Sequence, residues 1–450
     1  MTPEEIRRLP FASLIDMGEF DCCCGKRHGS GIRHVVIQSG AVQKLPELLA
    51  ELGSKKPFLL SGKATFAAAG DRVTGALEGA GVPYGQYVFP QSPVVPAEQA
   101  VGAAVMHFDD SCDAVIGIGS GVINDIGKLL AKVSGRPYLI VGTAPSMDGY
   151  ASATSSMECD GLKVSLDSTF AWAIIGDLDI LCQAPLHMLQ AGVGDMLAKY
   201  ISLVEWRIAR LLVGEYYCPT VSALVESGLE KVVGAAPGLV RREPEAVKSV
   251  MEGLVIAGIA MKYAGLSRPA SGMEHYFSHI WDMRALAFEE ARADLHGIQC
   301  GIATLLSLKV YQYIRSLEPD REAALKAVAG FSAEDWNQSL RDFIGPGAEA
   351  MIQGEKREGK YDREKHALRL EKILEKWGEI CAIIDTLPSY EQAAGILSAI
   401  GAPVEAKDLG YTAQQLRTTF TMTKDIRDKY IASRLLWDLG RLEDAAAVIP

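Results

Sequence analysis

The chain has 450 residues, 48% of them apolar and 22% charged, so it can bury one or two sizeable cores and lies outside the disordered range. Its formal charge of −11 argues against a nucleic-acid groove or an anionic membrane as principal partner, and an anionic substrate would need local attraction. No apolar run approaches the ~20 residues of a bilayer span, MTPEEIRRLPFASL lacks a signal-peptide core, and nine scattered cysteines read as reduced thiols, so a cytoplasmic protein is expected.

The first distinctive stretch is FDCCCGKRH, residues 20 to 28. Cys22, Cys24 and His28 are spaced as half of a zinc knuckle, yet no second Cys/His pair follows at the usual interval, and thiols in a loop are the alternative. From residue 34 onward, short apolar runs alternate with helix-length amphipathic segments. HVVIQ (34 to 38), PFLLS (57 to 61), YGQYVF (84 to 89), DAVIGIG (113 to 119) and PYLIVG (137 to 142) are expected strands, with helices near 41 to 52, 65 to 80, 96 to 107 and 121 to 134. Such alternation gives a Rossmann-like, doubly wound parallel sheet, which binds ligands at the carboxyl ends of its strands.

In DAVIGIGSGVINDIGK a buried strand runs into Gly117, Gly119, Ser120 and Gly121 and then a helix. Glycine lets the backbone approach a diphosphate, and the helix start offers unpaired amides to its charge; tight strand-to-helix turns also use glycine for packing alone. This is the fourth strand and not the first, and no Lys-Ser or Lys-Thr follows at the P-loop spacing. The next strand ends in GTAPSMDGYAS, where Thr143, Ser146, Ser152 and Asp148 offer polar groups that serve equally well as helix caps.

Past residue 185 the periodicity is helical throughout. Pro185 marks the expected boundary between an α/β N-terminal domain, residues 1–184, and an all-helical C-terminal domain, residues 185–450. The charged run from 355 to 377 reads as a solvated helix broken at Gly359. Within the helical half, SGMEHYFSHIW puts His275 and His279 four residues apart, on one helix face. A metal site needs that convergence, but a surface helix tolerates it too, and the HExxH glutamate is absent because Tyr276 stands in its place. AGVGDMLAKY supplies Asp195, and ADLHG supplies His296 before a glycine. One carboxylate and two imidazoles leave open positions on a divalent ion, as a catalytic site requires.

GIGSGVINDIGK, TAPSMDGYAS, AGVGDMLAKY, SRPASGMEHYFSH and LHG, in this order, resemble the glycerol-1-phosphate dehydrogenases, specifically the bacterial AraM-like group of the iron-containing alcohol dehydrogenase superfamily. The resemblance extends over roughly residues 20 to 380 and takes in the CCCGKRH segment. It implies that Asp195, His275 and His296 hold one divalent metal, zinc or nickel. It implies also that Asp148 and Asp195 contact substrate and that His279 faces it as a candidate proton donor. By the same resemblance Gly119, Ser120, Gly121 and Asp125 line the phosphates of NAD or NADP, with Thr143, Ser146 and Ser152 near the nicotinamide half. The implied reaction is reversible hydride transfer between NAD(P)H and dihydroxyacetone phosphate, giving sn-glycerol 1-phosphate, in a cytoplasmic homodimer with no nucleic-acid or membrane partner.

Where many relatives carry an acid after the second strand, LLSGKATF has Gly62 followed by Lys63. Losing that carboxylate removes repulsion against a 2′-phosphate, so NADP(H) is expected to serve at least as well as NAD(H), unless Gly62 is simply a turn residue. Lys163, Lys262 and Arg268 lie near the motifs as candidates for the substrate phosphate or as ordinary charges. The alternative activity is a glycerol or polyol dehydrogenase acting on an unphosphorylated substrate. A dehydroquinate-synthase-like lyase is disfavoured by the absence of its lysine-rich segments, and a non-catalytic nucleotide-binding protein by three filled ligand positions.

Overall fold

The computed structural model describes residues 1–160, 162–290 and 294–450. They form two compact units, one of Met1–Met196 with Pro219–Leu266 and one of Leu197–Cys218 with Ser267–Pro450. The units therefore do not follow a single cut in the chain.

The first unit begins with two short helices, α1 (Pro3–Arg7) and α2 (Phe11–Asp16), and a hairpin of β1 (Phe20–Asp21) and β2 (Arg27–His28). Its centre is a six-stranded, wholly parallel sheet built from β3 (His34–Gln38), β4 (Pro57–Gly62), β5 (Gly85–Phe89), β6 (Ala114–Gly119), β7 (Tyr138–Gly142) and a sixth strand met later in the chain. A second hairpin, β8 (Thr154–Cys159) with β9 (Leu162–Asp167), interrupts the rhythm before that sixth strand, β10 (Ala171–Asp177). The order across the sheet is β3-β10-β7-β6-β4-β5. The five expected strands are present, and β10, a continuous apolar run, is an addition that slots between β3 and β7.

Parallel sheets need cover on both faces, and the intervening helices supply it. These are α3 (Leu45–Leu52), α4 (Lys63–Gly79), α5 (Glu98–His107) and α6 (Gly121–Ser134). The expected helix at 41 to 52 is a 3₁₀ turn, Ala41–Lys44, followed by α3, with Pro46 near the start of the helix. Ile116, Ile118, Leu139, Val141 and Ile175 from the sheet meet Leu45, Leu49, Val73 and Leu77 in one buried cluster. Gly127 of α6 has no room for a side chain because the Tyr138 ring lies 2.7 Å from where its Cβ would be.

After α7 (Leu178–Leu181) the described chain is helical: α8 (Leu186–Val213), α9 (Pro219–Ala235), α10 (Pro244–Ala264), α11 (Met273–Ala287), α12 (His296–Arg315) and shorter helices to the C-terminus. A parallel α/β sheet followed by a large helical region matches the expected fold class. The charged run is split as expected, since a helix ends at Glu358, Gly359 takes φ +61°, and another helix starts at Arg363. It is not wholly solvated, because Glu355, Lys360 and His366 are buried. Among the described residues no helix is long and apolar enough to cross a membrane.

Candidate active site

At the glycine-rich turn, β6 ends at Gly119 and α6 opens at Gly121, so the first amides of a 14-residue helix face the carboxyl edge of the sheet. A Cβ on Gly119 would lie 2.6 Å from Ile123 Cβ; glycine is what lets the strand pass this close to the helix. Thr143, just past β7, donates its amide to the Gly119 carbonyl at 3.0 Å, and Thr143 and Ser146 are both buried beside that edge. Gly62 sits at the end of β4 with its amide donating to Thr65 Oγ1 at 3.0 Å.

Asp125 and Ser152 are drawn into a buried lattice around Lys128. The Lys128 ammonium, wholly buried, lies 3.1 Å from an Asp125 carboxylate oxygen and donates to the Gly149 carbonyl, the Ser152 hydroxyl and the Thr154 carbonyl. Asn124 donates to the same Gly149 carbonyl at 3.0 Å. Desolvation raises the Asp125 pKa, and the adjacent ammonium opposes it. Together these side chains pin the 149–154 loop to α6. Sequence reasoning did not single out Asn124 or Lys128.

Asp148 and Asp195 are brought together. One Asp195 carboxylate oxygen accepts the Asp148 amide at 2.9 Å, and Asp195 is fully buried in α8. Gly192, one turn earlier, explains the approach, because a methyl there would overlap the Pro145 carbonyl oxygen and lie 2.9 Å from Val250. The 148–151 turn rests on Gly258 of α10 in the same way, with Ala151 Cβ 2.7 Å from where a Gly258 side chain would start.

In the second unit three histidines cluster. The His275 and His296 ring centres are 5.0 Å apart, and that of His279 lies 6.4 Å and 6.3 Å from them. Glu274, fully buried, accepts the Gly272 amide on Oε1 at 2.7 Å and contacts Nδ1 of His275 with the same oxygen at 2.8 Å. An oxygen already accepting from an amide takes a donor from the ring, so Nδ1 carries the proton and Nε2 the lone pair. His296 is set by a longer relay. Gln299 donates through Nε2 to Asp282 at 3.2 Å and to the Asp294 carbonyl at 3.0 Å, which turns its Oε1 toward the Ser278 hydroxyl at 2.6 Å. Ser278 spends its only proton there, so Nδ1 of His296, at 2.9 Å, must donate to Ser278, and again Nε2 holds the lone pair. Two imidazoles prepared this way have the tautomer a divalent cation needs. Cys300 lies one turn past His296, its sulfur 3.6 Å from Nε2.

Beneath Glu274 lies Glu205, accepting the Met273 and Ala432 amides, each at 2.9 Å, and the Tyr311 hydroxyl at 3.2 Å. Burial raises the pKa of both glutamates, and their repulsion adds to it for Glu205. Gly272 is required between them, since its Cβ would fall 2.8 Å from Glu274 Oε2. Of the cations considered for a substrate phosphate, Arg268 is buried in a two-point ion pair with Glu215 at 2.6 and 2.8 Å, and Lys262 lies over the Phe170 ring at 4.2 Å.

The profile of the iron-containing alcohol dehydrogenases matches residues 36–185. The chain is 34% identical over 280 residues to the glycerol-1-phosphate dehydrogenase [NAD(P)+] of Methanothrix thermoacetophila, covering 62% of this chain and 77% of that protein. It is 30% identical over 346 residues to the enzyme of the same name from Bacillus velezensis, covering 73% and 88%. The chain belongs to the glycerol-1-phosphate dehydrogenase family. The family's fold is seen in distant solved structures: glycerol dehydrogenase from Schizosaccharomyces pombe superposes with a TM-score of 0.59 at 14% identity, over 92% of this chain and 90% of that one.

Proposed function

We propose that this chain is an NAD(P)-dependent, metal-dependent glycerol-1-phosphate dehydrogenase: dihydroxyacetone phosphate, NAD(P)H and a proton give sn-glycerol 1-phosphate and NAD(P)+, reversibly. The substrate comes from the names of the relatives. The observation that carries the chemistry is the pair of hydrogen-bonded relays that turn Nε2 of His275 and of His296 into lone-pair donors.

Asp195, His275 and His296 would hold the cation, and one carboxylate with two imidazoles suits zinc or nickel. When bound, a divalent ion supplies Lewis acidity toward a ketone oxygen, and the nicotinamide supplies hydride. The chain's residues do the rest. Glu274 and Ser278 hold the two rings against rotation, so the donor set is prepared before substrate arrives. Asp148 and Asp195 would accept hydrogen bonds from substrate hydroxyls. His279, one helical turn from His275, delivers the proton that balances the reduction, since an imidazole can both carry and release one.

Gly119, Ser120 and Gly121 with the α6 amides would take the dinucleotide phosphates, with Thr143, Ser146 and Ser152 toward the nicotinamide. Asp125, paired with Lys128, contributes there by ordering the loop. Residues 1–184 would thus bind the cofactor and 185–450 supply most metal and substrate groups. With Gly62 at the end of β4, NADP(H) would serve at least as well as NAD(H). A cytoplasmic homodimer completes the reading, in keeping with nine cysteines that all carry thiols.

Protein purified anaerobically should contain zinc or nickel and oxidise NAD(P)H with dihydroxyacetone phosphate. Equal activity with dihydroxyacetone would turn the assignment toward a polyol dehydrogenase. Full activity after metal removal would end it.

A further inference from the structure

The β1–β2 hairpin carries the cysteine segment, and its backbone is folded tightly. The Cys22 amide donates to the Lys26 carbonyl at 3.0 Å and the Gly25 amide to the Cys22 carbonyl at 2.9 Å, with Gly25 in the left-handed region at φ +82°. This turn gathers Cys22, Cys24 and His28, with Cys24 sulfur 3.3 Å from His28 Nε2. The donor absent from the local sequence comes from far downstream. Cys218, peptide-bonded to Pro219 at the start of α9, brings its sulfur to the same point, so three sulfurs and one imidazole nitrogen all lie within 4.8 Å of one another. Cys22, His28 and Cys218 are buried, whereas Cys23 is exposed and turns its sulfur to the Thr220 hydroxyl at 3.3 Å.

His28 is held like a ligand. Its ring lies against Phe20 and stacks on Tyr263, both with centres 5.5 Å away, and it hydrogen-bonds the Tyr263 backbone while Nε2 faces the Cys24 sulfur. An imidazole anchored away from the cluster and aimed into it is the arrangement that fixes a metal-binding histidine. Three soft sulfurs and one imidazole, four protein donors in all, are a set that selects zinc and would leave no position for substrate.

We propose that Cys22, Cys24, His28 and Cys218 form a structural zinc site, separate from Asp195, His275 and His296, that clips the N-terminal segment onto the start of α9. The site would add to the packing of α1, with its buried Ile6, on α9, to the hydrogen bond from the Thr220 hydroxyl to the Met1 carbonyl at 3.3 Å, and to exposed ion pairs of Arg7 with Glu226 and Glu230. Zinc binding releases the three thiol protons and involves no electron transfer, so it needs a reduced chain and no other reactant. The site stands whether or not the proposed dehydrogenase activity is correct.

The test uses the full chain in a Cys300→Ser background, so that no sulfur near His296 contributes. Reconstitution with cobalt(II) should give a thiolate-to-cobalt charge-transfer band, retained in His275→Ala and Cys23→Ser and lost or strongly reduced in Cys24→Ser and Cys218→Ser. Elemental analysis should show about one equivalent less zinc in Cys24→Ser than in the parent. If Cys218→Ser fails to fold, X-ray absorption of the zinc-loaded parent decides, with sulfur-dominated coordination expected. Absence of the band, a band unchanged in Cys24→Ser, or a zinc shell of nitrogen and oxygen alone would overturn the proposal.

Discussion

Oε1 of Glu274 receives hydrogen bonds from both the Gly272 amide and Nδ1 of His275, so one buried oxygen fixes the start of α11 and the tautomer of its histidine. Glu274→Ala should weaken metal binding about 10- to 100-fold with the helical circular dichroism retained. Ser278→Ala, which removes a neutral partner from His296, should cost less. Metal titration by competition with a chromophoric chelator ranks the two, and equal affinities in wild type and Glu274→Ala would show that the carboxylate has no such role.

His279→Ala should lower kcat at least tenfold while the metal-to-protein ratio stays at the wild-type value. The loss should ease toward low pH if the missing group is a proton donor. Unchanged turnover, or a variant that has lost its metal, would remove His279 from the proton path.

Gly192→Ala tests how α8 is set against the loop after β7. Its methyl would occupy the space of the Pro145 carbonyl, forcing the helix and the Asp195 carboxylate away from the Asp148 amide. Overpacking of this kind costs about 1–3 kcal/mol, so a lower melting temperature should accompany a raised KM. Gly395→Ala, in open space within the Tyr390–Ala399 helix, is the control: it should leave KM unchanged and not lower the melting temperature, because alanine favours a helix interior over glycine.

Gly62→Asp should move cofactor preference toward NAD(H), by roughly tenfold or more in the ratio of kcat/KM values. The backbone at Gly62 is extended, at φ −90°, so a side chain meets no backbone strain; its Cβ would lie 3.1 Å from Val94. Identical ratios in wild type and variant would mean that this strand end does not face the ribose.

Burial, with Asp425 nearby, pushes the Glu355 carboxyl up to about 7 from its ordinary value of 4.5. The folded state therefore binds this proton more tightly than the unfolded one. Its contribution to stability is complete below the unfolded value and is lost as pH rises through about 7, by at most about 1.4 kcal/mol per pH unit. Glu355→Gln, which cannot ionise, should gain on wild type in melting temperature between about pH 5 and about pH 8. A constant difference across that range would contradict the shift.

The sequence shows β3 to β7 because each is a short apolar run followed by a helix, the repeating rhythm of a parallel sheet. β10 escapes that rhythm, since β8 and β9 come before it and no helix separates it from them. Among the site residues the histidines and Asp195 stand out through their motifs, but their supports do not. Glu274 is adjacent to a candidate ligand and reads as a helix-start acid. Lys128 reads as one more charge on an amphipathic helix, because three of its four partners belong to a loop over twenty residues away. Cys218 has no cysteine neighbour in sequence to mark it. Long-range contacts of this sort leave no periodic trace.

The Lys128–Asp125 pair has a further consequence for electrostatics. Lys128, on the helix that follows the glycine-rich turn, is already occupied by an internal carboxylate and loop oxygens, so from α6 a diphosphate there would meet neutral amides and a helix dipole. Little mobile counter-ion is exchanged on such binding. Dinucleotide affinity should accordingly change only slightly as ionic strength rises, unlike a site built on exposed arginine or lysine.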